Sequence, residues 1–113
     1  MRRDEAYLLD MLIAARDAVS FVQGLSSEQF ATSRIHQQAV TKALETIGEA
    51  AARISEPTRA AHPEVPWREI IGMRHRLVHD YFEVDLDKVW DTLQNDLPSL
   101  IAKLEPLVPP EET

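Results

Sequence analysis

The chain has 113 residues, 44% of them hydrophobic, which is enough for one domain with its own buried core. It contains no cysteine, so disulfides and thiolate metal sites are excluded and the cytoplasm is the expected compartment. We expect no signal peptide and no membrane-spanning helix, since no apolar run approaches the roughly 18 residues that a span requires. With 12 basic and 19 acidic residues, the net charge of −7 argues against non-specific binding of polyanions over the whole surface.

The first half of the chain predicts two long helices. From Leu8 onwards, apolar residues recur at intervals of three and four, and Gly24 supplies a C-terminal stop for the first helix. After a short turn, Thr32 or Ser33 can cap a second amphipathic helix. That helix should end before Pro57, because proline has no N–H to donate within a helix.

Prolines organise the second half of the chain. Three of them fall within residues 56–66, a density that predicts the main connecting segment. Pro66 suits the first turn of a third helix, and Asp85 can cap a fourth. Pro98 lies inside the apolar pattern of the fourth helix, so a kink or a short break is expected there.

These patterns predict an all-α fold, an up-and-down bundle of four main helices in a single domain, residues 1–113. Apolar residues that lie off the main stripe of the first helix favour a homodimer. Those residues are Tyr7, Leu9, Ile13 and Phe21. The four main helices are expected at roughly 4–23, 33–55, 66–80 and 86–105.

Positive charge is concentrated in one segment. Between Trp67 and Tyr81 there are three arginines and two acidic residues, Glu69 and Asp80. The net charge of this segment is +1, so the rest of the chain carries −8. Any contact with nucleic acid should therefore be local.

The third helix carries an arginine on its apolar side. On a helical wheel, Arg74 lies within about 60° of the apolar residues of that helix, among them Ile70 and Leu77. A buried guanidinium is costly unless an anion or several acceptors meet it. Two explanations remain open at this point: Glu49 of the second helix pairs with Arg74, or Arg74 is kept for the charge of a ligand.

His79 and Arg74 together suit phosphodiester cleavage. Cleavage of RNA by its own 2′-hydroxyl needs a base, an acid and positive charge on the phosphorane, and histidine can serve as base or acid near neutral pH. Residues five apart on one helix point about 140° apart and are separated by about 7.5 Å along the axis. Convergence therefore requires either a distorted helix end or a two-fold dimer that shares one cleft.

The same residues allow other interpretations. His75 and His79 are four apart and could hold a metal ion with Asp80 or His62, but this spacing is common by chance, so we predict no metal site. By spacing alone, Tyr81 is more typical of core packing than of a functional site. Trp67 and Trp90 lie on apolar stripes and are expected to anchor the core rather than to stack on bases.

The motif and its context resemble one family. Arg74, His79 and Tyr81 match the Arg-x4-His-x-Tyr signature of the HEPN superfamily, which also tolerates polar residues such as His75 after its arginine. The surrounding chain is similar to the HepT-like (DUF86) branch over nearly its whole length. The similar segments are Ile47-Gly48-Glu49-Ala50-Ala51, Val65-Pro66-Trp67, Val84-Asp85, Val89-Trp90 and Asp96-Leu97-Pro98.

This resemblance implies a function. It implies a dimeric, metal-independent endoribonuclease toxin that needs no cofactor, with an antitoxin of the minimal nucleotidyltransferase class as partner, in a dimer or a higher assembly. Arg74 and His79 would be catalytic, supported by His75, Asp80 and Glu49, and the antitoxin would silence the toxin by adenylylating Tyr81. The alternative is a non-catalytic helical module that binds nucleotide or a partner and acts with the nucleotidyltransferase.

Overall fold

The computed structural model describes residues 3–79 and 85–109, except for the side chains of residues 78 and 79. All regular structure in these two segments is helical, so the prediction of an all-α fold is confirmed. The α-helices are α1 (Asp4–Phe21), α2 (Ser27–Thr32), α3 (Arg34–Arg53), α4 (Glu56–Ala61), α5 (Trp67–His79), α6 (Leu86–Asp91) and α7 (Leu97–Leu104). A π-helical segment (Thr92–Asp96) joins α6 to α7, and a 3-10 turn (Glu105–Leu107) follows α7.

Helix α3 is the centre of the fold. It packs against α1 and against α5, while α7 packs on α1 and α2 contacts both α3 and α6. Small side chains allow the close approach of α1 and α3, because an alanine adds little between two helix backbones. The most completely buried residues come from α1, α3 and α7 and include Met11, Ala15, Ala18, Val40, Ala51 and Leu104.

Two short helices occupy places where the sequence predicted a turn and a connecting segment. Helix α2 is held by a capping box: the Ser26 hydroxyl accepts a hydrogen bond from the Gln29 N–H, and the Gln29 side chain accepts one from the Ser26 N–H. Helix α4 begins within the proline-rich connection, with Pro57 in its first turn, where a missing N–H costs nothing. The connection at 56–66 is therefore partly helical.

The N-terminus of α3 follows the sequence prediction, and a π-helical segment lies just before Pro98, where a kink or a short break was predicted. Ser33 caps α3, since its hydroxyl accepts a hydrogen bond from the N–H of His36. Pro98 lies in the first turn of α7, directly after the π-helical segment. At the end of the π-helical segment, the N–H of Leu97 donates to the carbonyl of Thr92, five residues earlier, and the chain continues into α7.

Asp4 ties the start of α1 to the start of α4. Its carboxylate accepts hydrogen bonds from the Ser55 hydroxyl, the Thr58 hydroxyl and, at 3.0 Å, the Ser55 N–H. These bonds, led by the one from the Ser55 side chain, hold the pKa of Asp4 below its ordinary value. The contact fixes the position of α4 relative to the core.

Both tryptophans are anchors, as predicted. Trp67 is buried, and its indole N–H donates to the carbonyl of His62 at 2.9 Å, which holds the loop before α5 against the core. Trp90 is half-buried and packs on Phe30, with 5.5 Å between the ring centroids.

None of the described helices combines the length and the hydrophobicity needed to cross a bilayer.

Part of the apolar surface predicted for a dimer is exposed. Ile13 is 43% exposed and Phe21 is 42% exposed, and both line a groove of about 390 Å³ between α1 and α3. Tyr7, by contrast, packs partly against the core. Dimerisation stays a prediction.

Candidate functional site

Five of the six predicted site residues lie on α5 or follow it in the chain, and the sixth, Glu49, lies on α3. Arg74 is in the middle of α5 and half-buried, and His75 is exposed on the same helix. His79 is the last residue of α5, and its side chain lies outside the described part of the chain. Asp80 and Tyr81 lie outside the described residues as well. The roles predicted for all five residues stay predictions.

Arg74 is packed against a glycine of α3. A Cβ built on Gly48 would lie 2.2 Å from the Cβ of Arg74, 3.0 Å from its Cγ and 3.1 Å from the carbonyl oxygen of Ile70. Only a residue without a side chain fits between these two helices, so Gly48 lets α5 come close to α3. The first two carbons of the Arg74 side chain therefore cover Gly48.

Arg74 makes no ion pair and no side-chain hydrogen bond with any residue that the structure describes. Glu49 instead pairs with Arg53, one turn along α3, with 3.3 Å between Oε1 and Nη2. Of the two explanations for Arg74, the pair with Glu49 is thus not formed. The other explanation, that its guanidinium is kept for the negative charge of a ligand, stays a prediction.

The other explanation for the histidines is a metal site at His75 and His79. Among residues 3–79 and 85–109, with the side chains of 78 and 79 set aside, no group of three histidine, aspartate or glutamate side chains could hold a metal ion. The side chain of His79 lies outside the described part of the chain, so a metal site formed by His75 and His79 is not tested by the structure.

A second group of basic residues lies on the outer side of α5, and the sequence prediction did not include it. Three arginines and His75 line an open groove of about 580 Å³ between α4 and α5. Ile71 and Gly72 line the groove as well. The basic residues on α5 could have been found from the sequence, because they follow the helical spacing of three and four. Nothing in the sequence indicated that α4 would add an arginine. The arginines are Arg59, Arg68 and Arg76.

Arg74 and residue 79 are not on one side of α5. The helix is α-helical up to His79, so the two positions are about 140° apart around its axis. Position 74 faces α3, while position 79 follows His75 by four residues, on the side of the groove between α4 and α5. Within one subunit, the regular helix does not direct the two positions to the same point.

The described segments are all-helical, and a helix packed against the core carries an arginine five residues before a histidine. Residues 11–107 match the family described as Ribonuclease HepT-like. The chain belongs to this HepT-like ribonuclease family.

Relatives of similar length support this assignment. The chain is 41% identical over 106 residues to a protein of Thermococcus cleftensis named "Probable ribonuclease HepT", covering 94% of this chain and 96% of the relative. It is 35% identical over 105 residues to a "Putative RNase" of Methanocaldococcus jannaschii, covering 92% and 96%. A "Putative RNase" of Caldanaerobacter subterraneus is 32% identical over 112 residues, covering 99% and 100%. No solved structure gives a significant match.

Proposed function

We propose that this protein is a metal-independent endoribonuclease, the toxin of a type VII HEPN/MNT toxin–antitoxin system. Arg74 and His79 are its catalytic residues, and a minimal nucleotidyltransferase neutralises it by adenylylating Tyr81. One observation carries the proposal: the match to the ribonuclease family covers residues 11–107, which include Arg74, His79 and Tyr81 in the family's spacing. Among the described residues no carboxylate pairs with the Arg74 guanidinium, which is consistent with a role in binding phosphate.

The proposed reaction uses the RNA's own 2′-hydroxyl as nucleophile. An imidazole takes the proton of the hydroxyl, the 2′-oxygen forms a bond to phosphorus, and the bond from phosphorus to the 5′-oxygen breaks. A second imidazole gives a proton to the departing 5′-oxygen, so the products are a 2′,3′-cyclic phosphate and a 5′-hydroxyl. Arg74 stabilises the phosphorane, which carries more negative charge than the substrate.

A dimer meets the geometric requirement of this reaction. Positions 74 and 79 diverge on the regular helix α5, so one subunit would have to distort its helix end to bring them together. In a two-fold dimer, Arg74 of one subunit and His79 of the other share a cleft, and two histidines are present for the two proton transfers. We therefore place the catalytic cleft between two copies of the chain.

Adenylylation of Tyr81 explains how the antitoxin acts. The phenol oxygen attacks the α-phosphate of ATP, pyrophosphate leaves, and an AMP group remains on the tyrosine. This group adds negative charge and bulk two residues after His79. It occupies the cleft and competes with the RNA phosphate for Arg74.

Cleavage of RNA in the presence of EDTA tests the proposal. The wild-type protein should cut single-stranded RNA with the chelator present, and Arg74→Ala and His79→Ala should each abolish cutting. Arg16→Ala and His62→Ala are the matched controls, since both residues form ion pairs and neither lies on α5, so both variants should leave the activity unchanged. Cutting that survives Arg74→Ala combined with His79→Ala would come from a contaminating nuclease and would refute the proposal.

Co-expression with a minimal nucleotidyltransferase tests the switch. The intact mass of the protein should rise by one or more AMP groups, Tyr81→Phe should prevent the increase, and Tyr7→Phe should not. An unmodified, pure protein that binds ATP or the nucleotidyltransferase but leaves RNA intact would instead indicate the non-catalytic binding module.

A further inference from the structure

The groove between α4 and α5 concentrates positive charge in an acidic protein. Arg59, Arg68, Arg76 and His75 line this groove, which we call the basic groove, while the whole chain carries a net charge of −7. Arg68, Arg76 and His75 come from α5, and Arg59 comes from α4. Helix α4 therefore adds one arginine to the three basic residues of α5.

The three arginines of the basic groove have no acidic partner within the described residues. Arg59, Arg68 and Arg76 form none of the ion pairs or side-chain hydrogen bonds found in the described part of the chain. Glu64 pairs with His62 at 3.4 Å, and Glu69 lines a different groove, between α3, α5 and α7. Like charges repel one another, so three guanidinium groups around one groove favour the binding of anions.

The shape of the groove suits a strand rather than a single small anion. Arg68 and Arg76 are eight residues apart on α5, which places their Cα atoms about 12 Å apart along the helix axis. Gly72 lies between them and has no side chain, and the Arg76 guanidinium reaches back to within 3.7 Å of where a Cβ on Gly72 would be. The floor of the groove is therefore low, with a guanidinium on its edge that can grip phosphate oxygens.

The position of the groove connects it to the proposed chemistry. The side of α5 that carries Arg68 and His75 continues to residue 79, one turn beyond His75. A nucleic-acid strand in the groove would thus run along α5 towards the predicted catalytic histidine.

We infer that the basic groove binds the phosphate backbone of the single-stranded RNA substrate next to the scissile phosphate, with Arg59, Arg68 and Arg76 as sequence-independent phosphate contacts. This inference rests on the proposed ribonuclease function for the identity of the strand. Contacts of this kind position a nucleic acid and do not select bases, so they should act equally on RNAs of different sequence.

Binding of a fluorescein-labelled, single-stranded RNA to the His79→Ala protein, followed by fluorescence anisotropy, tests the inference without cleavage. In that background, Arg68→Ala with Arg76→Ala should raise the Kd on the order of tenfold for each of two unrelated sequences. The slope of the logarithm of the association constant against the logarithm of the salt concentration should become less negative by about 1.4. Two phosphate contacts are lost in this variant, and each contact to a single strand contributes about 0.7 to the slope. Arg59→Ala should make the slope less negative by about 0.7 for the same reason.

The matched control is Arg16→Ala with Arg34→Ala, which also removes two positive charges, but from residues outside the basic groove. This control should leave both the Kd and the salt slope close to those of the parent. Circular dichroism of each variant checks that the helical fold is retained, and Arg68→Lys with Arg76→Lys should keep most of the salt slope because the charges remain.

The outcomes separate this inference from the proposed function. If the wild type cuts RNA while the groove variants bind RNA like the control, the groove inference is wrong and the proposed function stands. If the groove variants lose binding while the wild type cuts no RNA, the groove is an RNA-binding site but not a substrate site, and the proposed function is wrong. Unchanged RNA binding with loss of association to a nucleotidyltransferase would overturn the inference and assign the groove to a protein partner.

Discussion

Replacing Gly48 with alanine should destabilise the protein, although alanine is normally the better helix residue. The new Cβ would lie 2.2 Å from the Cβ of Arg74, whereas two carbon atoms in contact normally rest about 3.5–4.0 Å apart. Both atoms are fixed to helical backbones, so no side-chain rotation relieves the overlap. The carbonyl oxygen of Ile70, at 3.1 Å, is also backbone, and α5 must therefore move away from α3.

The magnitude follows from two opposing terms. Overpacking of this kind costs about 3 kcal/mol, the upper end of the usual range, because nothing except the helix can shift. Alanine in place of glycine inside a helix returns about 1 kcal/mol. Gly48→Ala should therefore lower the free energy of unfolding by about 2 kcal/mol and Tm by about 8 °C, at roughly 4 °C per kcal/mol for a chain of this size.

The matched control is Gly72→Ala on the outer side of α5. The nearest atom to its new Cβ would be Nη1 of Arg76 at 3.7 Å, an ordinary contact, so the helix term alone should raise stability by up to about 1 kcal/mol. Urea unfolding followed by circular dichroism, at one protein concentration, measures both variants. A Gly48→Ala protein as stable as the wild type, or more stable, would refute the close approach of α3 and α5.

Three further predictions concern other contacts. Asp4→Asn should lower Tm at about pH 7 but not at pH values below the folded-state pKa of Asp4. A lowered carboxyl pKa stabilises the fold at pH values above the ordinary pKa, and this stabilisation is lost as the pH falls through the folded-state pKa. Thermal unfolding at a series of acidic pH values checks this, and an equal loss of Tm at every pH would contradict it. Trp67→Phe keeps an aromatic ring but removes the donor to the loop before α5, so unfolding in urea should show a loss of about 1 kcal/mol, and no loss would mean that the bond adds nothing. Ser26→Ala breaks the capping box of α2 and should cost about 1 kcal/mol in the same assay, while Ser26→Asp should retain most of the stability.

The helices of this protein are largely determined by local patterns. Apolar residues at intervals of three and four indicated the long helices, and Ser33 was one of two caps predicted for α3. These features depend on residues within one or two turns of each other, which is why the sequence reveals them. The short helices α2 and α4 were missed because neither is long enough to show an apolar period.

The candidate site divides in the same way. Arg74, His79 and Tyr81 could be selected from the sequence because their spacing is a property of the chain itself. The sequence also offered Glu49 as the partner of Arg74, and the structure pairs Glu49 with Arg53 instead. An ion pair between two helices depends on how they are rotated against each other, and a neighbour one turn away on the same helix is always within reach.

The sequence by itself therefore determined the helical class and the principal helices, and it indicated the segment in which the catalytic residues are predicted. Only the tertiary structure decided that Gly48 brings α3 against the stem of Arg74, and that α4 adds Arg59 to the arginines of α5. The physical reason is that helix periodicity is local, whereas the distance and rotation between helices result from the packing of many side chains at once. A single glycine contact or a shared groove becomes visible only after that packing is known.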